Sequence, residues 1–220
     1  MEKQTIYEKL QRLIPKEHIK QDEPLNQYTF TKTGGKADFL VLPSTYEEVQ
    51  SCILFSRENS IPLTILGNGS NLIIRDGGIR GIVLILSHME RIEMKDGLIV
   101  AQSGATIINV SRFALEQSVT GLEFACGIPG SVGGAVYMNA GAYGGDISQV
   151  IDSAVVLTDE GELLTLTNEE MELTYRSSLI AKRGYIALEA RFAAKKGDPA
   201  AIKARMDELT FLRESKQPLE

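Results

Sequence analysis

The pattern of hydrophobic and polar residues along the chain predicts short helices alternating with short strands. Apolar positions recur at helical spacing over residues 4–14 and again over 46–59. Continuous apolar runs over 39–42 and 61–67 flank the second helix and predict strands, so these three segments form a β-α-β unit. A further strand-like stretch, residues 72–86, completes a first unit of mixed α and β structure.

In the second half of the chain the pattern changes to shorter strands joined by tight turns. Strand-like residues flank Asp96-Gly97, and a helix is predicted over 106–118 with Gly121 as its C-cap. A hairpin turning at residues 159–161 comes next. Asp198 is the expected N-cap of a final helix, in which four apolar residues lie on or near one face: Ala201, Ala204, Leu209 and Leu212.

Composition limits the size of the protein and the partners it can bind. A chain of 220 residues allows one large or two small domains, and 43% hydrophobic residues can bury a core. The net charge of −6, with no stripe of Lys or Arg, gives no support for nucleic-acid binding. The charged N-terminus does not resemble a signal peptide, and no apolar run is long enough to span a membrane. We therefore expect a cytoplasmic monomer without a membrane partner.

Cysteine and histidine residues are few and separate from one another. Cys52 lies on the inner face of the predicted helix 46–59, where it is most simply a small core residue. Cys126 has no basic neighbour in the sequence to activate it, which favours a packed thiol over a nucleophile. His18 and His88 are isolated, so we expect neither a metal site nor a disulfide framework.

The most unusual stretch is residues 121–147, which holds eight of the chain's 20 glycines. Such a density of glycine lets a backbone approach a ligand closely and adopt conformations that side chains forbid. Pro129 fixes one φ angle within it, so we expect residues 127–135 to form a rigid, narrow loop. A flexible linker would not normally carry the apolar residues found here. We interpret the stretch as a loop system that binds a cofactor.

A second candidate loop, Gly67-Asn68-Gly69-Ser70-Asn71, follows the predicted strand 61–67. Successive backbone N–H groups in such a turn can form an anion-binding nest, and the Ser and Asn side chains add donors. These groups suit a pyrophosphate. The spacing matches neither G-x-G-x-x-G nor the P-loop motif, so neither of those nucleotide sites is supported. An ordinary tight turn is the other interpretation.

Arg176 is the candidate for contact with an anionic substrate. It follows Tyr175 within residues 168–184, a segment that we expect to be mostly irregular. A guanidinium beside an aromatic ring can bind a carboxylate or a developing oxyanion. From the local sequence alone, a surface arginine packed on Tyr175 is the stronger interpretation.

Together these motifs resemble those of the bacterial UDP-N-acetylenolpyruvoylglucosamine reductases. The resemblance covers residues 25–215, and the glycine-rich segment is similar to the shorter form of the family, which lacks an added loop in the substrate domain. The matching segments are TFTKTGGKADFLVLP, LTILGNGSNLIIRDGGIRGIVL, GLEFACGIPGSVGGAVYMNAGAYGGDI and LTYRSS.

The resemblance implies an α+β fold of the FAD-binding PCMH type, which is like that of vanillyl-alcohol oxidase and has two α+β subdomains that clasp FAD. Residues 1–88, including the N-terminal helix, would form the first subdomain and 89–197 the second, followed by a helix over 198–220. The residues implied to bind FAD are Gly67, Asn68, Gly69, Ser70, Asn71, Leu72, Gly127, Ile128, Pro129, Gly130, Ser131, Gly133, Gly134, Ala135, Asn139, Gly141, Ala142 and Tyr143.

The resemblance also implies a reaction in peptidoglycan precursor synthesis, and hence in cell-wall biogenesis, cell shape and cell division. In the family, NADPH reduces the flavin, hydride then passes to the double bond of UDP-N-acetylglucosamine enolpyruvate, and a protein acid protonates the neighbouring carbon to give UDP-N-acetylmuramate. Tyr175 and Arg176 would bind this substrate. Arg176, in LTYRSS, would be the active-site arginine that neutralises the carboxylate and the enolate-like charge.

Two of the family's functional residues have no counterpart in this sequence. The proton-donor serine, in a GS-x-F-x-x-P motif, and a glutamate both follow the segment that resembles ESKQPLE, and the sequence stops at Glu220. We therefore expect the FAD-binding portion without its substrate domain, able to bind FAD but not to complete substrate reduction. Two alternatives stay open: another PCMH-type flavin oxidase and a catalytically inert FAD-binding fragment.

Overall fold

The computed structural model describes residues 2–216, so the last four residues of ESKQPLE, and the expectation attached to Glu220, lie outside the described part. The described residues divide into two compact units. The first contains the residues up to Met89 together with Leu157–Leu163, and the second contains the remainder.

The first unit is a four-stranded sheet with two helices. The helices are α1 (Lys3–Leu10) and α2 (Tyr46–Glu58), and the strands are β1 (Ile19–Pro24), β2 (Lys36–Val41), β3 (Leu63–Leu66) and β4 (Ile79–Ile85). The strand order is β1-β2-β4-β3, in which β2 and β3 both run parallel to β4 and β1 runs antiparallel to β2. The predicted β-α-β unit is present, but β4 lies between its two strands.

Helix α2 shows why the sequence prediction succeeded locally. The Thr45 hydroxyl accepts a hydrogen bond from the backbone N–H of Glu48, while the Glu48 carboxylate accepts one from the N–H of Ser44. Donors that the first turn of a helix leaves unpaired are thereby satisfied. Cys52 is fully buried on the inner face, which confirms it as a core residue, and burial raises the pKa of its thiol far above the ordinary value.

The segment Leu157–Leu163 joins the first unit through contacts with α2. The side-chain amide of Gln50 donates to the carbonyl of Gly161 at 2.6 Å, and Arg57 pairs with Glu160 at 3.1 Å. Gly161 has φ +80°, and a Cβ there would lie 3.0 Å from the Leu54 side chain. A glycine at this turn therefore satisfies both the backbone conformation and the close approach.

The second unit packs four helices around a five-stranded sheet of order β11-β10-β12-β6-β5. Two small hairpin-like pairs, β13-β7 and β8-β9, lie outside that sheet. The helices are α3 (Ile107–Glu116), α4 (Val132–Tyr137), α5 (Leu179–Arg183) and α6 (Pro199–Glu214). The strands are β5 (Ile92–Lys95), β6 (Leu98–Gln102), β7 (Val119–Thr120), β8 (Gly141–Ala142), β9 (Gly145–Asp146), β10 (Ile151–Leu157), β11 (Leu163–Thr167), β12 (Ile186–Ala193) and β13 (Lys195–Lys196).

Several boundaries differ from the sequence predictions. The structure ends α3 at Glu116, and strand β7 separates it from Gly121, so Gly121 is not its C-cap. The N-cap of α6 is Asp198 as predicted. Of the four apolar residues predicted on or near one face of this helix, Leu209 is buried, whereas Ala201 and Ala204 are exposed; Ile202 is the other buried residue. Within residues 2–216, no helix combines the length and the hydropathy that a membrane crossing requires.

Candidate functional site

Residues 67–72 form an open bend directly after β3 in the first unit. Gly69 is buried at its centre with φ +59°, and a Cβ there would lie 2.7 Å from the Cα of Thr29. The Gly69 carbonyl accepts a hydrogen bond from the N–H of Phe30 at 3.3 Å. The bend is therefore anchored at a position that only glycine can occupy without displacing its neighbour.

The bend leaves its hydrogen-bond donors unpaired. Among residues 2–216, the backbone N–H groups of residues 68–72 reach no acceptor. The side chains of Asn68, Ser70 and Asn71 are exposed, and within the same range they make no hydrogen bond either. A fixed backbone that presents a run of unpaired donors is well suited to bind an anionic group such as a diphosphate.

A polar network that the sequence analysis missed supports this bend from behind. The Lys20 ammonium donates to the Tyr28 hydroxyl at 2.8 Å, and that hydroxyl donates to Glu23 at 2.8 Å. The hydrogen bond with Tyr28 raises the pKa of Lys20, and burial raises the pKa of Tyr28. The Tyr28 carbonyl lies 3.0 Å from where a Gly69 Cβ would be, so the network fixes the segment on which the bend packs.

Residues 127–135 are held mainly by their own unit. The N–H of Gly133 donates to the Ser103 carbonyl at 3.0 Å, and the N–H of Val132 donates to Ala105 at 2.8 Å. The Ser131 hydroxyl caps α4 by accepting from the N–H of Gly134. The expectation of a loop is therefore wrong for residues 132–135, because Ser131 starts a helix there.

The beginning of this stretch faces helix α6. A Cβ at Gly127 would lie 3.0 Å from the Arg213 side chain. The Cys126 sulfur lies 3.7 Å from the Met206 carbonyl and 3.8 Å from the Thr210 hydroxyl, as expected for a packed thiol. No group of three or more His, Cys, Asp or Glu side chains in the described part of the chain is arranged to hold a metal ion.

A cavity of about 400 Å³ in the second unit brings two of the predicted stretches together. Residues that were candidates from the sequence and that line it are Asn139, Gly141, Ala142, Tyr143, Tyr175 and Arg176. Five further lining residues belong to the candidate motifs without a role of their own: Gly144, Gly145 and Asp146 lie within residues 121–147, and Leu173 and Thr174 lie within LTYRSS. Ser148 also lines the cavity, and its position directly after residues 121–147 was its sequence signal.

Arg176 lies at the tip of a two-residue turn that borders this cavity. The backbone groups of Thr174 and Ser177 exchange two hydrogen bonds, of 3.0 and 3.2 Å, and place Tyr175 and Arg176 between them. Arg176 has φ +56°, in a turn position where glycine or asparagine is usual. Tyr175 is 90% exposed, so its ring provides little packing for an arginine stem.

Three of the residues that line the cavity have strained backbone conformations. Asn139, Tyr143 and Arg176 all line it and have positive φ angles of 43°, 53° and 56°. Such conformations cost about 1–3 kcal/mol each in residues with side chains, and they cluster at binding and catalytic sites. The surrounding structure must hold these residues in place, which indicates that their positions matter.

The charges around the cavity leave the Arg176 guanidinium available. Within residues 2–216, Arg176 forms no ion pair. Asp146, on the opposite hairpin, accepts a hydrogen bond from the Ser148 hydroxyl at 2.6 Å. Glu172, four residues before Arg176, pairs instead with Lys182, and this hydrogen bond lowers the pKa of Glu172. An unpaired cation beside a cavity of this size is suited to bind the carboxylate of a small molecule.

Comparisons with known proteins identify the family. The family described as FAD binding domain matches residues 37–167. UDP-N-acetylenolpyruvoylglucosamine reductase of Staphylococcus aureus (strain COL) is 58% identical over 215 residues, which cover 98% of this chain and 70% of that protein. The match therefore extends through both units.

Solved structures agree with this relationship. The crystal structure of UDP-N-acetylenolpyruvylglucosamine reductase from Thermus caldophilus is similar with a TM-score of 0.77 and 30% identity, covering 89% of this chain and 69% of that one. An alkyldihydroxyacetonephosphate synthase shares only the fold, with a TM-score of 0.67, 18% identity and coverage of 89% and 44%. The expected α+β fold of the FAD-binding PCMH type is confirmed. The chain belongs to the UDP-N-acetylenolpyruvoylglucosamine reductases, a family of flavin-dependent oxidoreductases, and its cofactor is FAD.

Proposed function

We propose that the chain takes part in the NADPH-dependent reduction of UDP-N-acetylglucosamine enolpyruvate to UDP-N-acetylmuramate, for peptidoglycan synthesis in the cytoplasm. The 58% identity to a reductase of that name over 98% of the chain supports this reaction. We further propose that the protein is a monomer and that the residues assigned from the motifs, apart from Asn139, are those that contact FAD and substrate.

The observation that carries the proposal is the placement of Arg176. Its guanidinium is unpaired among residues 2–216, and its backbone is held in a strained conformation beside the 400 Å³ cavity. The enolpyruvyl group carries a carboxylate, and negative charge develops next to that carboxylate when the double bond accepts hydride. A fixed guanidinium stabilises both the bound carboxylate and the developing charge, so it lowers the barrier as well as improving binding.

The unpaired donors of residues 68–72 fit the diphosphate of FAD. Gly69 leaves no side chain at the centre of the bend, and the Ser70 and Asn71 side chains add donors at its rim. When bound, FAD would accept a hydride from NADPH and supply it to the substrate double bond. Gly130, Gly134 and the 141–143 segment are proposed as further contacts that leave room for a planar ring.

The test measures the two half reactions separately. FAD is added to the purified chain and, separately, to a full-length version that carries the family's substrate domain. NADPH reduces the flavin without oxygen, and the enolpyruvyl substrate is then added while flavin absorbance is recorded. Reduction by NADPH rather than by NADH or an alcohol, followed by reoxidation with the enolpyruvyl substrate, supports the reductase over an oxidase. In the full-length version, Arg176→Ala should leave FAD affinity unchanged and slow reoxidation about a hundred- to thousandfold.

Arg183→Ala is the matched control, because Arg183 is an exposed arginine of the same unit that does not line the cavity. It should reoxidise like the unmodified chain. Loss of FAD from Arg176→Ala would contradict the assignment of this residue to the substrate. Reoxidation at the same rate in both variants would reject Arg176 as the substrate-binding arginine.

A further inference from the structure

The turn that carries Arg176 is tied to the end of helix α4 on both sides. Thr174, just before the turn, is bonded to Asn139, and Ser178, just after it, is bonded to Tyr137. We propose that Asn139 and Ser178 are positioning residues that hold the Arg176 guanidinium in place through this turn. The proposal rests on the function proposed above for Arg176.

Asn139 is bonded through both ends of its side-chain amide. Its Nδ2 donates to the Thr174 carbonyl at 3.2 Å, and its Oδ1 accepts from the N–H of Ser148 at 2.9 Å. The residue is buried with φ +43°, a conformation that asparagine tolerates better than most residues. Asn139 therefore connects the Arg176 turn to the 139–148 segment on the other side of the cavity, although its sequence context suggested direct contact with FAD.

Ser178 provides the second connection. Its hydroxyl donates to the Tyr137 carbonyl at 2.7 Å and accepts from the N–H of Ala181 at 3.0 Å, so it also caps α5. The residue is fully buried. The hydroxyl thereby donates its one proton to a carbonyl of α4 and accepts a hydrogen bond from α5. It has no proton left to donate to a ligand.

The turn needs these connections because it has little support of its own. Thr174 and Ser177 form an isolated pair outside the sheets, and a two-residue hairpin by itself is at best marginally stable in water. Tyr175 and Arg176 at its tip are exposed. The bonds from Asn139 and Ser178 therefore add two constraints, one on each side of the turn, to the position of the guanidinium.

The experiment compares variants that remove one connection each. Asn139→Gly keeps the positive φ available but removes both amide bonds, and Asp96→Gly is its control at another positive-φ position of the same unit. Ser178→Ala removes the bond to Tyr137 together with a helix cap. Asp198→Ala is its control, because it removes only the cap of α6. Asn139→Asp and Ser178→Thr are milder variants in case either substitution prevents folding.

The first readout does not depend on activity. Hydrogen exchange of the FAD-free chain reports on the N–H groups of Thr174 and Ser177, which are bonded across the turn. Asn139→Gly and Ser178→Ala should each raise their exchange on the order of tenfold, as expected for the loss of one hydrogen bond. The two control variants should leave it unchanged.

The second readout is reoxidation of NADPH-reduced flavin by the enolpyruvyl substrate. Each variant should slow it about ten- to a hundredfold at unchanged FAD affinity, the usual cost of losing a supporting hydrogen bond. In an Arg176→Ala background the same substitutions should add no further loss, because they act only through the guanidinium.

A further loss in that background would show that Asn139 or Ser178 acts on the reaction independently of Arg176, and would overturn the proposal. Unchanged exchange at Thr174 and Ser177 would overturn it as well. If instead exchange rises as expected while the unmodified full-length version is not reoxidised by the substrate, the proposed function fails and the positioning role stands.

Discussion

The two glycine-rich regions of this protein use glycine for different purposes. Around Gly69, glycine allows the chain to turn against Thr29 while the next N–H groups stay unpaired. Around Gly133, glycine allows the chain to pack against Ser103, and the N–H group is used up within the fold. The first region is short and has only two glycines, whereas the second is the densest in the sequence. Glycine content therefore shows where backbones come close, whereas unpaired donors are what makes the first region a candidate ligand site.

Other glycines of the second region support this distinction. A Cβ at Gly145 would lie 2.7 Å from the ring of Phe124, and one at Gly141 would lie 2.6 Å from the Gly145 carbonyl. These approaches are contacts within the protein. Gly134 differs, because its Cβ would meet only the Ser131 hydroxyl, at 3.3 Å. More of this region is packed against the rest of the protein than the sequence indicated.

The largest effect is expected for Gly69→Ala. The new Cβ has no room beside Thr29 and the positive φ becomes strained, so the bend must move and its donors with it. We expect FAD affinity to fall roughly a hundredfold, equivalent to about two charge-assisted hydrogen bonds. Fluorescence titration of FAD measures this change.

Gly97→Ala is the control for that experiment, because Gly97 has φ +78° but nothing within 4 Å of a Cβ. It should destabilise the fold by about 1–2 kcal/mol through backbone strain while leaving FAD affinity unchanged. An equal loss of FAD affinity in both variants would mean that strain alone, rather than the bend, explains the result.

The adjacent glycines of α4 should separate packing from binding. Gly133→Ala forces a Cβ to 2.8 Å from the Ser103 hydroxyl, which is itself bonded to the Ala187 carbonyl, so we expect about 1–3 kcal/mol of lost stability. Gly134→Ala should change stability by less than about 0.5 kcal/mol, since better helix propensity offsets a slightly close contact. Urea unfolding measures the stability of both variants. Equal losses of stability would mean that the two glycines do not differ in how tightly they pack.

A smaller effect is expected for the exposed donors of the bend. Ser70→Ala and Asn71→Ala should each weaken FAD binding about three- to tenfold, the value of one hydrogen bond, without changing stability. Ser131→Ala should differ in lowering stability, by about 1 kcal/mol, because its hydroxyl caps α4. If Ser70→Ala lowered stability and left FAD affinity unchanged, the Ser70 hydroxyl would support the fold, as the Ser131 hydroxyl does, rather than bind FAD.

The smallest effect is expected for Tyr28→Phe, which removes the hydroxyl that joins Lys20 to Glu23. The loss of stability should stay below about 1 kcal/mol near neutral pH. The pKa values of Tyr28 and Lys20 are both raised by folding, so their contribution is complete below their ordinary values of 10.0 and 10.5 and is lost as pH rises through the folded values. The free energy of unfolding should therefore be measured for Tyr28→Phe and for the unmodified chain at neutral and at strongly alkaline pH. The difference between the two proteins should be smaller at alkaline pH, and a constant difference would argue against this network.

Much of the fold could be predicted from the sequence where local rules decided it. The caps Thr45 and Asp198 set the starts of α2 and α6, and the alternation around Asp96-Gly97 and residues 159–161 gave the hairpins. Helix α4 could not be predicted, because its two glycines disfavour a helix and only packing on Ser103 and capping by Ser131 form it. The insertion of β4 between β2 and β3 depends on long-range pairing, which no local pattern contains.

The site was predictable in its motifs but not in its connections. Asn139, Tyr143 and Arg176 were selected from their residue types, and the structure places all three on one cavity. The bonds from Asn139 to Thr174 and Ser148, and from Ser178 to Tyr137, join residues up to 41 positions apart. Such partners depend on tertiary structure, so one sequence cannot reveal whether a conspicuous asparagine contacts a ligand or supports a neighbour.

The contacts of Leu157–Leu163 with α2 have a practical consequence for dissecting the gene. The first unit is discontinuous in sequence, so a fragment that stops at Met89 would omit the turn that covers Gln50, Leu54 and Arg57. That fragment would leave an apolar side chain and two polar partners of α2 uncovered. A stable version of the first unit would therefore have to carry the turn as a grafted segment. No single continuous fragment contains both parts of the first unit without also containing residues 90–156 of the second.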